Sequence, residues 1–289
     1  PWLLAHDQDP LPPAAAAAWP DLLGRRAGGE PLAYVLGERE FCGLNLQVSP
    51  AVLVPRPETE LLVDWALECL HEAPSQDVID LGTGSGAVAL AVRHARPRAR
   101  VLATDASADA LQVAQQNARQ LGLDVSFAQG DWWAAAGGQR FGLAVSNPPY
   151  IAEADPHLAA LQHEPQGALT AGADGLGALA PLIRHAPPHL LPGAWLLLEH
   201  GHDQARAVQT LLQAAGFEAV STRPDLAGLP RCTGGRLPAG RQSNDPLRNS
   251  AARAQRGVAP KALTPARGIP RAVKAAHHGQ IPYSGWRPP

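Results

Sequence analysis

The stretch Val78-Ile79-Asp80-Leu81-Gly82-Thr83-Gly84-Ser85-Gly86-Ala87-Val88-Ala89 decides how the rest of the chain is read. Its first four residues make a short apolar run of strand length, and residues 87–95 carry apolar positions at helical spacing. The three glycines therefore fall at a strand-to-helix turn. Glycine lets the backbone turn sharply and lets a ligand come within contact distance, while the free N–H groups of a helix start favour polar or anionic groups. A merely tight connection needs glycines as well, so on the glycines alone the two readings stand level.

The same rhythm continues downstream. Strands are expected at 78–81, 101–103, 125–128, 143–146 and 195–198, and helices at 87–95, 108–121, 176–186 and 204–215, with Gly216 as a C-terminal stop. Alternation of this kind predicts an α/β domain with a mostly parallel sheet. The second strand ends at Asp105, 19 positions after Gly86, where a carboxylate can accept both hydroxyl protons of a ribose. Turn and acid together point to a nucleoside-containing cofactor. The glycines are spaced G-x-G-x-G, whereas the dinucleotide fingerprint is G-x-G-x-x-G, which counts against a nicotinamide-dependent oxidoreductase on the same sheet.

Directly after residues 143–146 comes Asn147-Pro148-Pro149-Tyr150. Two prolines remove two backbone donors and restrict φ, so neighbouring carbonyls can be held outward as acceptors. A planar NH2 group needs two acceptors, and the Asn147 side-chain oxygen and the Pro148 carbonyl supply one each. Tyr150 is expected to stack on the planar group. A Pro-rich turn at a sheet end is the plain alternative, disfavoured by the motif's position in a nucleotide-binding domain.

Upstream, residues 1–30 hold an Ala run broken by Pro10, Pro12, Pro13 and Pro20, which predicts short helices joined by tight turns. Leu44, Leu46 and Val48 alternate, and with Val52, Leu53 and Val54 they read as a hairpin. Thr59 then precedes an amphipathic run containing Leu62, Val63, Ala66, Leu67 and Leu70. At its start Glu58 and Glu60 are read as stabilising a helix N-terminus. Four regions result: a truncated helical docking region at 1–30, a hairpin and linker helix at 31–76, the catalytic domain at 77–236 and a tail at 237–289.

Charge separates the tail from the body. Nine basic residues from Leu237 onward stand against Asp245 alone, a net +8 that leaves −10 on the rest of a chain whose formal charge is −2. The tail shows no sustained period and is expected to be disordered. Cys42, Cys69 and Cys232 are scattered without CxxC spacing, so neither a disulfide framework nor a zinc cluster is encoded, and a reducing cytoplasm fits. His277-His278 has no companions at metal spacing, and no metal site is expected. No apolar run nears the ~20 residues that span a bilayer. The chain contains no methionine even at position 1, so it is expected to lack its natural start.

The segments at 80–86, Asp105, Asp131-Trp132 and Ser146-Asn147-Pro148-Pro149-Tyr150-Ile151 resemble the amino-methylating branch of class I, Rossmann-like methyltransferases. Arg39-Glu40-Phe41, Pro55-Arg56-Pro57-Glu58-Thr59-Glu60 and Trp2-Leu3-Leu4-Ala5 resemble the release-factor glutamine methyltransferases, as do Glu164-Pro165 and the segments at 172–176, 199–201 and 228–236. The likeness covers nearly all of residues 1–236. It implies a class I methyltransferase-like sheet with a small N-terminal helical domain and a β-hairpin linker. It also implies methyl transfer from S-adenosylmethionine to the glutamine amide of the Gly-Gly-Gln motif of peptide chain release factors. On that resemblance Gly82, Thr83, Gly84, Ser85 and Gly86 line the cofactor, Asp105 binds its ribose, Trp132 borders the adenine, Asn147, Pro148, Pro149 and Tyr150 hold the glutamine, and Asn147 touches the cofactor as well. Trp133 is read as packing, and the chain's own Gly137-Gly138-Gln139 as coincidence. Glu199 and His200 end a strand on the ligand side and are not counted in the site.

Two other functions share these features. A nucleic-acid adenine methyltransferase would use the same clamp, but an acidic body opposes binding to a phosphate backbone, and only weak RNA contact through the tail is expected. An inactive fragment that still binds release factors or ribosomes would keep the surface without the chemistry.

Overall fold

The computed structural model describes residues 5–73 and 75–239. The expected tail beyond residue 239, with His277-His278, and Trp2-Leu3-Leu4 lie outside the described residues. The chain starts with helix α1 (Pro13–Ala27) and the short α2 (Leu32–Leu36), followed by a two-stranded hairpin, β1 (Glu38–Phe41) and β2 (Leu44–Gln47). Helix α3 (Glu60–Glu72) leads into the main sheet. There follow β3 (Asp77–Leu81), α4 (Ala87–Ala95), β4 (Arg100–Asp105), α5 (Ala108–Leu121), β5 (Ser126–Gln129) and β6 (Phe141–Ser146). The chain then forms α6 (Leu179–His185), β7 (Leu190–Glu199), α7 (Ala205–Ala214), β8 (Glu218–Pro224) and β9 (Pro230–Arg236).

The seven strands are ordered β5-β4-β3-β6-β7-β9-β8, and β9 runs in the direction opposite to the other six. After β5 the chain returns to the other side of β3, so the order reverses between β3 and β6. A crevice opens at such a switch point, beyond the strand C-termini.

Period-two alternation sends successive strand residues to opposite faces, and both faces are covered. Val78, Leu143, Val145 and Leu197 pack with Leu62, Val63 and Ala66 of α3 and Leu90 of α4. Ile79, Leu81, Ala144, Leu196 and Leu198 pack with Leu179, Leu182 and Ile183 of α6 and Val208 and Leu212 of α7. This parity later decides which side chains meet at the site. Among the described residues no helix is long and apolar enough to cross a membrane, and no group of His, Cys, Asp and Glu suits a metal ion. Cys42, Cys69 and Cys232 are free thiols.

Helices α4 and α5 have the expected limits. Ser107 caps α5 by accepting the Ala110 N–H at 3.2 Å, and Gly122 ends it in the left-handed conformation. Three expectations are corrected. Pro20 does not divide the N-terminal region: α1 runs through it, with Pro13 in the first turn and no buried residue. On so exposed a helix water can take the carbonyl that Pro20 leaves without an N–H, and the Ala-rich flanks keep helical propensity high.

The hairpin is also displaced. Its first strand is Glu38–Phe41 rather than a partner from 52–54, because Cys42 (φ 48) and Gly43 (φ 77) form a two-residue turn with both φ positive. Val52 and Val54 are buried against Ala33, Tyr34 and Ala110 without joining a sheet. Side chains satisfy their backbone instead: the Tyr34 hydroxyl donates to the Val52 carbonyl, and the Val54 N–H donates to Glu164 Oε2 at 3.1 Å. Glu60 is not merely a helix-start charge, since its Oε1 accepts the Cys42 N–H at 3.0 Å.

Strands β8 and β9 had no counterpart in the sequence reading. For β9 the reason is Gly234-Gly235, a poor strand signature by composition. A Cβ at Gly234 would stand 2.5 Å from Leu197 Cδ2 and 2.9 Å from the Trp65 ring, so only glycine lets α3 close over β9. Sheet bonding then runs one residue beyond β9: the Leu237 N–H donates to Ala194 at 2.7 Å, and its carbonyl accepts from Gly193 at 2.9 Å.

Candidate active site

The turn after β3 is pinned before any ligand is considered. The N–H groups of Gly82 and Thr83 both donate to the Thr104 carbonyl, at 2.9 and 2.8 Å. Gly82, Gly84 and Gly86 have φ of 74°, 56° and 85°, a region that L side chains rarely adopt. Asp80 lies beneath the turn, where one oxygen accepts the Thr83 hydroxyl at 2.6 Å and the Ala89 N–H at 3.1 Å. Burial pushes its carboxyl up to about 7. Asp105, at the end of β4, accepts the Gly84 N–H at 2.9 Å on one oxygen and the Ser107 N–H at 2.9 Å on the other. Each oxygen keeps a further lone pair for a ligand hydroxyl.

A cavity of about 300 Å³ opens over these groups, with Gly82, Gly84, Asp105, Trp132, Asn147 and Pro149 on its wall. Thr83 and Ser85 also line it. Trp132 adopts φ 44°, and its ring lies so close to the turn that a Cβ on Gly82 would stand 3.3 Å from it. Trp133 faces the interior: it is buried, donates from Nε1 to the Leu182 carbonyl at 2.8 Å and stacks on His189 with ring centroids 5.0 Å apart.

Three of the expected site residues are not on the cavity wall. Gly86 faces the protein, where a Cβ would meet Leu90 at 3.0 Å and Ala114 at 3.2 Å, so it brings α4 and α5 together. Pro148 is buried. Tyr150 turns its hydroxyl to Glu199 Oε1, donating at 3.2 Å, while its carbonyl accepts from Gln204 at 3.0 Å. Burial and the adjacent Glu199 raise its phenol above the usual tyrosine range.

Glu199 and Asn147 meet because β6 and β7 are parallel and in register, with Val145 beside Leu197 and Ser146 beside Leu198. One step further along each strand reaches Asn147 and Glu199, on the face covered by α3. Thr59, just before α3, lies there as well: its hydroxyl oxygen accepts the Asn147 Nδ2 N–H at 3.2 Å. Glu199 is buried, and burial raises its carboxyl to about 7 against the opposing pull of the Thr59 and Tyr150 hydroxyls and of Arg231. By the same alternation His200 points to the other face, where Nε2 lies 2.7 Å from the Thr233 hydroxyl and burial depresses its pKa.

Two further residues carry no assigned role in the sequence. Glu164, buried, pairs with Arg56 and accepts the Val54 N–H, joining the Pro55-Arg56-Pro57 exit to the far wall of the cavity. Asn117 is wholly buried on α5, donating to the carbonyls of Ser85 (2.9 Å) and Gln47 (3.0 Å) and accepting the Gln47 N–H at 2.7 Å. The available signal was a polar residue inside the apolar stripe Ala110, Ala114 and Ala118. Asn117→Ala leaves those groups unpaired, and a loss of about 1–3 kcal/mol is expected, seen as a thermal midpoint lower by several degrees. An unchanged midpoint would show that water replaces the amide without cost. Gln139 lies on the exposed loop that feeds the start of β6, the end of that strand opposite Asn147.

Comparison with known proteins adds the following. A family model described as the methyltransferase small domain matches residues 59–171, and one described as the PrmC N-terminal domain matches residues 1–37. The chain is 54% identical over 239 residues to the release factor glutamine methyltransferase of Bordetella pertussis, covering 82% of this chain and 88% of that protein. It is 52% identical over 240 residues to the protein of that name from Xylella fastidiosa strain Temecula1, covering 82% and 87%. Among solved structures, the hMettl16 catalytic domain in complex with MAT2A 3′UTR hairpin 1 shares the fold, at a TM-score of 0.57 and 14% identity over 73% of this chain and 81% of that one.

Proposed function

Because the chain belongs to the release factor glutamine methyltransferase family, we propose that it transfers a methyl group from S-adenosylmethionine to the side-chain amide nitrogen of the glutamine in the Gly-Gly-Gln motif of peptide chain release factors. What supports the chemistry is one juxtaposition: Asn147 and the glycine turn share a single cavity at the sheet's switch point. The cavity suits the methyl donor. Gly84 has open space where a side chain would begin, Asp105 offers a carboxylate to ribose hydroxyls, and Trp132 presents an indole to the adenine.

When bound, S-adenosylmethionine supplies a methyl group on a sulfonium, which already carries a good leaving group. The protein's own task is therefore alignment. Asn147 Oδ1 accepts one N–H of the substrate amide, and the Pro148 carbonyl, between two residues of the cavity wall, accepts the other. Two fixed acceptors hold the planar amide in one orientation and keep its nitrogen directed into the cavity. No strong base is required at the outset, because the nitrogen gives up its proton only as it becomes methylated.

Residues 1–30 are assigned to substrate docking and residues 77–236 to catalysis, in the cytoplasm where the substrate is made. Since the sheet bonding among the described residues reaches as far as Leu237, a chain ending at Ala239 is expected to keep its thermal midpoint and its methylation rate. A midpoint lower by many degrees would make the remaining residues part of the fold. The function itself is tested by mass spectrometry of release factor incubated with this protein and S-adenosylmethionine. A methyl mass shift on the Gly-Gly-Gln peptide is the expected result, and an unmodified peptide overturns the reading.

A further inference from the structure

Thr59, on the cavity wall, stands next to the buried carboxyl of Glu199. The Thr59 hydroxyl accepts from Asn147 Nδ2 at 3.2 Å and its pull on the Glu199 carboxyl places the two groups together, while Glu199 Oε2 is buried and meets no other hydrogen-bond partner among the described residues. Glu199 Oε1 is already engaged by the Tyr150 hydroxyl. Both Thr59 and Glu199 are almost completely buried, at 4% and 1% exposure, so they answer to each other rather than to bulk solvent. Building on the function proposed above, we propose that Glu199 and Thr59 are positioning residues that set the polarity of the substrate clamp: Glu199 takes the Thr59 hydrogen, Thr59 takes an Asn147 N–H, and Asn147 is left with Oδ1 facing the substrate.

The logic is directional. A carboxylate only accepts, so a hydroxyl beside it must donate to it and is left to accept from its other neighbour. The amide of Asn147 then has to offer its NH2 inward, which turns its oxygen to the cavity. Reversal is equally definite. If Glu199 carries a proton it can donate to Thr59, the Thr59 hydrogen becomes free to turn to Asn147, and the amide can flip to present NH2 to a substrate that is itself a donor. The clamp would then repel the group that it has to hold. Register supports the arrangement, because the parallel pairing of β6 and β7 brings Asn147 beside Glu199 on the face that α3 covers.

The groups around Glu199 are Thr59 and Glu58 from the turn before α3, Tyr150 from the loop after β6, and Arg231 and Cys232 from β9. Burial raises the carboxyl to about 7, so the fraction ionised, and with it the turnover, is expected to fall as pH drops through that value. The sign for stability is opposite. A carboxyl whose folded pKa lies above its ordinary value costs stability as pH rises through the interval between the two values, and the cost persists above about 7. Glu199→Gln is therefore expected to match or exceed the parent's thermal midpoint at pH 8, whereas a residue with only a structural role would lower it.

The test compares parent, Glu199→Gln, Thr59→Val and Thr59→Ser, with release factor as substrate. Glu199→Gln and Thr59→Val should each lower kcat tenfold or more, with S-adenosylmethionine affinity by calorimetry within about twofold of the parent. Combined, they should be no worse than the poorer single variant, because they break one relay. Thr59→Ser should recover most of the rate lost in Thr59→Val, and the fall in rate below pH 7 should vanish in Glu199→Gln. Independently of turnover, the Asn147 side-chain NH2 resonances, identified by their loss in Asn147→Ala, should exchange faster with solvent in Thr59→Val. Additive losses, or unchanged kcat with unchanged exchange, overturn the relay. A parent that leaves release factor unmethylated overturns the assigned function instead, and the exchange measurement still decides the relay.

Discussion

Asn147→Ala is expected to reduce the single-turnover rate of glutamine methylation by about 100-fold, the order of loss that follows when a reacting atom is misplaced by about 1 Å. The substitution removes the side-chain acceptor on the cavity wall while leaving the glycine turn and Asp105 untouched. Donor affinity should therefore stay near the parent value, and the loss should appear in turnover. It also frees Thr59, whose hydroxyl no longer receives the Asn147 N–H. Single-turnover methylation of release factor under saturating donor is the deciding measurement. A rate within a few-fold of the parent would mean that Asn147 does not hold the substrate amide.

Asp105→Ala is expected to weaken S-adenosylmethionine binding about tenfold or more. A hydrogen bond to a charged group contributes about 1.5–3 kcal/mol, and each 1.4 kcal/mol is a factor of ten. The same carboxylate holds the N–H groups of Gly84 and Ser107, so the turn should loosen as well as lose its ribose partner. Calorimetry on a variant with a native-like melting transition separates binding from folding. Unchanged affinity there would remove Asp105 from the cofactor site.

Much of this protein is legible before folding because the informative features are local. The strand-to-helix turn at 82–86 follows from glycine spacing, and α5 from the apolar period of residues 108–121, all between near neighbours in the chain. The cavity wall is legible in the same way, because β3, β4 and β6 each deliver a distinctive residue at the strand's C-terminal end. Pairing is not local. The run at 52–54 has a strand's composition but stays irregular, since Tyr34 and Glu164 satisfy its backbone from elsewhere in the chain. Strand β9 lacks a strand's composition yet sits inside the sheet, because Trp65 occupies the space above Gly234.

The same division runs through the site. Composition and spacing by themselves determined an α/β sheet, a glycine turn followed by an acid, and an Asn-Pro-Pro-Tyr clamp after a strand. Only the tertiary structure decided that Tyr150 turns to Glu199, that Gly86 packs helices rather than lining the cavity, and that Thr59 reaches Asn147. Hydrogen bonds and apolar periods between near neighbours are written in sequence. Which buried carboxylate meets which hydroxyl depends on strand register and on the face that a helix covers, and neither exists until distant segments have packed.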